Sequence, residues 1–275
     1  MKDLLVKTIH TQGLDLASDT CPNCGDKTLL EIEFLGQKHT VRKLCKCGEE
    51  AYQRQREEEE RKQKQFRLNR LKEYSMMDKQ FENCTFENFK VDKWNEKLFK
   101  MATSYCENWQ EMKKNNIGFL LWGGPGNGKT YIASCIANYL LEQMVPVIAI
   151  STIGLLGRIK QTYNSYGKEG EVEILAMLKN ASLLILDDLG AENNTEWSKE
   201  KIYEIIDSRY RQSKPMIITT NLTKDQLRDK LTSGDGVTRT YDRLIEMCTP
   251  IEVKGPSKRV IAASEKMRII QGLME

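Results

Sequence analysis

The run Gly123-Gly124-Pro125-Gly126-Asn127-Gly128-Lys129-Thr130 constrains this chain more than any other feature. It fits GxxxxGK[ST], and its context fits too. Gly118-Phe119-Leu120-Leu121-Trp122 before it reads as a buried strand, and Tyr131-Ile132-Ala133-Ser134-Cys135-Ile136-Ala137 after it reads as a helix. A strand, a glycine-rich turn and a helix in this order aim backbone N–H groups at a polyphosphate. The helix N-terminus adds its own unpaired donors and positive dipole end. Lys129 is expected to reach the β- and γ-phosphates, and Thr130 to offer its hydroxyl to Mg²⁺.

Downstream, apolar runs at 117–122, 145–150, 182–187 and 215–220, with a shorter one at Ile251–Val253, alternate with amphipathic stretches. That alternation predicts an α/β fold around a mainly parallel sheet. Leu183-Leu184-Ile185-Leu186-Asp187-Asp188 describes a strand whose C-terminal end carries two acids into the crevice where open α/β sheets bind ligands. Asp187 is expected to hold Mg²⁺ through its water shell, and Asp188 to orient or deprotonate an attacking water. Met216-Ile217-Ile218-Thr219-Thr220 ends at Asn221. This amide either contacts the γ-phosphate or its water, or caps a helix starting near Thr223. Together these elements read as a nucleoside triphosphatase, with ATP the default nucleotide.

A second cluster lies near the start. Cys21-Pro22-Asn23-Cys24 and Cys45-Lys46-Cys47 form CxxC and CxC, each followed by a glycine that permits a tight knuckle. Four thiolates at this spacing suit tetrahedral Zn²⁺. Leu30, Ile32, Phe34 and Val41 between them suggest a hairpin turning near Gly36-Gln37, which is zinc-ribbon-like. His39 is an alternative ligand, and an iron–sulfur centre or a redox pair is a rival reading. Met1 to Leu16 holds no signal-type apolar stretch, so a disulfide framework is the weaker reading and a cytoplasmic location is expected. Cys84, Cys106, Cys135 and Cys248 read as packing residues.

The chain of 275 residues thus divides into a zinc-binding module at 1–48, a charged helical connector at 49–80 and an ATPase domain at 81–275. The connector offers Glu57–Arg61, Glu58–Lys62 and Glu60–Lys64 at i,i+4. In the third part Trp94, Leu98, Met101, Tyr105, Trp109 and Met112 recur at helical spacing, as a core stripe does. With 42 basic and 39 acidic residues the net charge is +3. This excludes a histone-like polycation but leaves local nucleic-acid patches open. No apolar run approaches a membrane span.

These motifs, in this order, resemble the DnaC/DnaI family of AAA+ replicative-helicase loaders, and the ATPase region is also similar to the IstB transposition helpers. The stretches that carry the resemblance are Phe86-Glu87-Asn88-Phe89, Gly123 to Thr130, Leu183 to Gly190, Ile217 to Leu222 and Arg239-Thr240-Tyr241-Asp242-Arg243-Leu244. The resemblance implies an AAA+ P-loop core without a separate lid domain, in which Asn221 is the sensor-1 residue. It makes Arg239 an arginine finger acting on a neighbouring subunit's ATP, with Arg243 supporting that interface and Arg259 as a sensor-2-like arginine. Each cation would offset charge on the transferred phosphoryl group. The family pattern ends in Asp-Glu where this chain has Asp187-Asp188, which implies slow hydrolysis. Expected partners are a hexameric DnaB-type helicase, engaged by the N-terminal module, single-stranded DNA, and further copies of the chain through the ATP site.

For DNA the resemblance directs attention to Arg158, Lys160, Tyr163 and Lys168, with Tyr166, although the tyrosine spacing also suits ordinary packing. Arg209, Arg211 and Lys214 form a second basic group, which reads equally as a solvated helix end. A transposition helper, or a nucleotide-gated zinc-ribbon adaptor with little hydrolysis, are the alternative functions.

Overall fold

A computed structural model of the chain describes residues 19–164 and 169–273. They divide into two compact units, one ending at Phe66 and the other beginning at Arg67.

In the first unit, β1 (Leu29–Phe34) and β2 (Gln37–Arg42) pair antiparallel with Leu30 opposite Val41 and Ile32 opposite His39. Leu35 and Gly36 both have positive φ, 51° and 75°, as a two-residue hairpin turn requires. Helix α1 (Lys46–Tyr74) starts inside the second cysteine pair and buries none of its residues. Its charge pairing differs in part from the expected set. Glu58–Lys62 forms at 2.7 Å, but Glu60 turns back to Arg56 at 3.1 Å.

In the second unit five parallel strands lie in the order β4-β5-β6-β3-β7. They are β3 (Gly118–Trp122), β4 (Val147–Ser151), β5 (Leu183–Asp187), β6 (Met216–Thr220) and β7 (Cys248–Glu252). Alternate residues face opposite sides, the period of a strand. Leu121, Ala149, Ile185 and Ile217 face one apolar core, shared with α2 (Glu96–Glu107), α3 (Trp109–Lys114) and α4 (Lys129–Glu142). Leu120, Ile150, Leu186 and Ile218 face the other. That side is covered by α5 (Thr152–Asn164), α6 (Glu169–Asn180), α7 (Glu196–Arg211), α8 (Lys224–Leu231) and α9 (Arg239–Met247). This is a doubly wound α/β sandwich. Among the described residues a single helix, α10 (Lys258–Gly272), follows β7, with no separate lid domain. Among the described residues, no helix is long and apolar enough to cross a membrane.

Three local outcomes depart from the sequence pattern. The expected single helix from Trp94 to Met112 breaks at Asn108, whose amide turns back onto the Ser104 carbonyl at 2.8 Å. Trp94 lies before α2 and is 52% exposed, so it leaves the core stripe. Arg209 is no solvated arginine. It is 1% exposed and donates to the carbonyls of Leu178, Ala181, Ser182 and Pro215. Lys214 donates to those of Lys179 and Asn180. These two cations satisfy carbonyls around the end of α6, which its own helix cannot pair. Cys84, Cys106, Cys135 and Cys248 are buried as packing residues, and burial pushes Cys135 and Cys248 up to about 12.

Candidate nucleotide site and cysteine cluster

The glycine-rich loop leaves β3 and enters α4 at Lys129. Gly123, Gly126 and Gly128 have φ of 139°, 80° and 96°. A Cβ at Gly123 would fall 2.6 Å from the Val253 carbonyl oxygen, and one at Gly126 would strike the Ser257 hydroxyl. The loop can pass here only without side chains at those points. It is tied to the segment after β7. The buried Asn127 amide donates to the Val253 carbonyl, and the Lys258 N–H donates to Gly126 O at 2.9 Å.

Lys129 is buried. Its Nζ lies 2.8 Å from Gly123 O, Gly124 O and Asn221 Oδ1, and 3.2 Å from Asn127 Oδ1. Burial pulls its pKa down, against the charges of Asp188 and Asp187. Asn221 donates in turn to Asp188 Oδ1 at 3.1 Å. The helix-capping alternative for Asn221 therefore fails: Thr223 caps α8, in a reciprocal pair with Gln226.

Asp187 ends β5, and its Oδ1 accepts from the Thr219 hydroxyl at 2.6 Å. Burial raises its pKa, while hydrogen bonds from Thr219 and Thr130 oppose the rise. Asp187 and Thr130, from different elements, line one small pocket together. Asp188 sits in the left-handed region at φ 52°, which turns its side chain off the strand line toward Asn221.

A cavity of about 390 Å³ opens over the loop. Gly126 to Thr130, Asp188, Asn221 and Arg259 line it together. Phe81, Asn88, Phe89, Lys90, Tyr131 and Lys258 line it as well, none of them assigned a site role from the sequence. The Phe86–Phe89 stretch marked the segment, but its placement follows from a distant residue. The buried Asn138 on α4 donates to the carbonyls of Phe81 and Cys84 at 2.9 and 2.8 Å.

Arg239 opens α9, is 63% exposed and does not line this cavity; Asp235 lies 4.0 Å away. Arg243 is engaged within its own chain. It pairs with Asp207, donates to the Tyr203 hydroxyl at 2.9 Å and stacks on Tyr203 and Tyr210. These contacts fix α9 on α7. Arg158 and Lys160 are exposed on α5. Lys160 lies 4.7 Å over the Trp197 ring and Tyr163 meets the same ring edge-on at 6.3 Å. Trp197 sits on α7, far from Lys160 and Tyr163 along the chain, so no local pattern marks it. Tyr166 and Lys168 lie outside the described residues.

The thiols of Cys21, Cys24, Cys45 and Cys47 lie within 4.8 Å of one another. Cys47 Sγ is 3.6 Å from Cys21 and Cys24 and 3.2 Å from Cys45. The Zn–S distance of about 2.3 Å implies sulfur separations near those of this cluster, so the donor set fits a tetrahedral ion. Backbone N–H groups of Asn23 and Cys24 pull Cys21 down to about 6, while the thiols of Cys45, Cys21 and Cys24 push Cys47 up to about 12. The Gly48 N–H donates to Cys45 Sγ at 3.3 Å, as in a knuckle. His39 stands on β2 opposite Ile32 and is not part of the cluster.

The family described as IstB-like ATP binding protein matches residues 45–266. The replicative helicase loader DnaC of Buchnera aphidicola subsp. Baizongia pistaciae is 30% identical over 163 residues. That match takes in 59% of this chain and 65% of the relative, so the chain spans a little under two thirds of that protein. The crystal structure of the DnaI protein superposes with a TM-score of 0.54 at 26% identity, over 66% of this chain and 94% of that one. The DnaC helicase loader structure superposes at 0.56 with 23% identity, over 64% of this chain and all of that one, which supports the AAA+ fold. With 222 of its 275 residues inside the family match, the chain belongs to the IstB-like ATP-binding proteins and is similar to the DnaC and DnaI helicase loaders.

Proposed function

We propose that this protein is an ATPase that loads a hexameric, DnaB-type replicative helicase onto single-stranded DNA in the cytoplasm, with ATP state gating both contacts. The observation that carries the ATPase reading is one hydrogen-bonded set in one cavity, Lys129, Asn221 and Asp188 linked in series; Asp187 lines a small neighbouring pocket together with Thr130. The cysteine module ahead of this domain, with the likeness to DnaC and DnaI, supports the loader over a transposition helper.

In this reading the backbone of Gly123 to Gly128 cradles the phosphates and Lys129 exchanges its carbonyl partners for phosphate oxygens. Thr130 and Asp187 hold Mg²⁺, which when bound neutralises charge across the β- and γ-phosphates. Asn221 holds Asp188 toward the attacking water, and Asp188 takes its proton. Phe89 and Tyr131 offer an apolar wall to the base, and Arg259 reaches the phosphates from α10. Arg239 completes the site of an adjacent copy. Asp188, one methylene shorter than glutamate, makes turnover slow, which suits a switch. Zn²⁺ bound by Cys21, Cys24, Cys45 and Cys47 supplies folding energy to a small module that engages the helicase. Arg158, Lys160 and Tyr163, with Trp197 and Lys168, form the proposed DNA contact.

The test is co-purification of the full chain with the replicative helicase of the same cell, read by mass, with and without ATP. A defined complex supports the loader. No complex in either state overturns it.

A further inference from the structure

Thr219 lies inside the sheet on β6, fully buried, in the strand that neighbours β5. Its hydroxyl makes two hydrogen bonds of opposite sense. Oγ1 accepts from the backbone N–H of Asp188 at 2.9 Å and donates to Asp187 Oδ1 at 2.6 Å. The direction is fixed by chemistry. A backbone N–H can only donate, so the hydroxyl proton is left for the carboxylate. The Thr219 carbonyl then accepts from the N–H of Leu189 at 2.9 Å, so one residue binds three consecutive positions at the end of β5. Asp188 stands at φ 52° between two of these bonds. An aspartate there holds a conformation that L residues rarely adopt, and neighbouring bonds must maintain it.

Thr220, the next residue, uses its hydroxyl differently. It donates to the Leu189 carbonyl at 2.6 Å and accepts from the Leu222 N–H at 3.2 Å, touching neither acid. The two threonines are equally buried, so one serves the acids and the other the loop.

We propose that Thr219 is a positioning residue of the metal–nucleotide site, its single hydroxyl locking the Asp187 carboxylate and the Asp188 backbone into one arrangement. This rests on the reading of the cavity as a Mg²⁺–ATP site. With Oδ1 of Asp187 taken by Thr219, its orientation toward Thr130 is set before any ligand arrives, as outer partners set metal-binding carboxylates elsewhere. Valine has the shape of threonine without the hydroxyl, so Thr219→Val removes both bonds and leaves the packing.

The experiment uses the full-length protein and a fluorescent ATP analogue, titrated in Mg²⁺ and in excess EDTA, alongside Mg²⁺-dependent turnover. Thr219→Val is expected to bind the analogue in EDTA as the parent does. Its Mg²⁺-dependent gain in affinity falls by about tenfold, in the range set by lost outer partners. kcat falls and the Mg²⁺ concentration for half-maximal turnover rises. Thr219→Ser restores both, and Thr220→Val keeps the parental Mg²⁺ response even where its melting temperature drops. Thr219→Ala carries the same expectation should the valine variant fail to fold. A parental Mg²⁺ response in Thr219→Val, no rescue by serine, or an equal loss in Thr220→Val would each overturn the proposal. A parent chain that binds no analogue at all overturns the ATP-site reading, and this inference with it.

Discussion

Nζ of Lys129 lies 2.8 Å from Oδ1 of Asn221, and the same amide donates to Asp188. One neutral side chain therefore joins the buried cation of the loop to the second acid of β5. Asn221→Ala should leave nucleotide affinity nearly intact, because the backbone cradle and Lys129 remain, while turnover falls by about 10²-fold for want of one aimed dipole. Lys129→Ala should lose nucleotide binding itself. Analogue titration and phosphate release on the same preparations separate the two effects.

Asp187 predicts a pH dependence. Burial raises its pKa above the ordinary 3.8, so its contribution to stability is present below that value and is lost as pH rises through the folded one. Mg²⁺ needs the opposite form. The extra thermal stabilisation given by Mg²⁺-ADP over ADP in EDTA should grow as pH rises through the raised value; as pH falls, it should be lost earlier than an ordinary aspartate would lose it. Asp187→Asn should remove the Mg²⁺ increment at every pH. Melting curves taken from the ordinary aspartate value upward to neutral pH check this, and a flat increment in the parent protein would refute it.

The parts legible in the sequence are those set by short spacing. The loop from Gly123 to Thr130 carries its glycines, lysine and hydroxyl within eight residues, and the two cysteine pairs carry their own knuckles. What stayed hidden depends on residues that meet only after folding. Arg209 has the local sequence of an exposed helix end; the carbonyls that bury it come from the end of α6 and the starts of β5 and β6. Trp197 joins Lys160 and Tyr163 across α5 and α7. Thr219 reads as a strand residue until β5 and β6 pair. Trp94 keeps helical spacing with Leu98 and Tyr105, yet the helix begins after it.

Arg209 offers a stability test remote from the site. Its guanidinium serves four carbonyls through its planar fork, and removing it takes a charged donor from each; that of Pro215 keeps a backbone partner, the Leu184 N–H. Arg209→Met should cost about 1–3 kcal/mol. In a domain of this size that lowers the melting temperature by several degrees. Arg209→Lys should not recover it, because an ammonium cannot match the geometry of the fork. Denaturant titrations give the comparison.

The cysteine cluster predicts separable units. Each chain is expected to carry about one zinc ion, lost on treatment with a strong chelator or in Cys24→Ser. Loss should unfold the hairpin and abolish helicase capture, while the second unit keeps its nucleotide affinity, since none of the cavity residues belongs to the first unit. Metal analysis, analogue titration and co-purification on one sample decide it. Parental helicase capture by metal-free protein would refute the role of the module.

Arg239 leads α9 into solvent, while Arg243, one turn later, is held by Asp207 and two tyrosine rings. The helix is thus fixed on its own chain and the arginine at its head is presented outward. If that arginine serves the site of an adjacent copy, Arg239→Ala should bind nucleotide as the parent does and lose turnover by about 10³-fold. Lys129→Ala is inactive for the opposite reason. In a mixture of the two variants, some interfaces bring an intact Lys129 from one chain against an intact Arg239 from the other, and activity should return in part. It should peak near equal proportions and depend on total protein concentration, because the active unit is an interface. Turnover that stays at the sum of the two separate variants would place Arg239 outside the reaction and leave its exposure without a catalytic meaning.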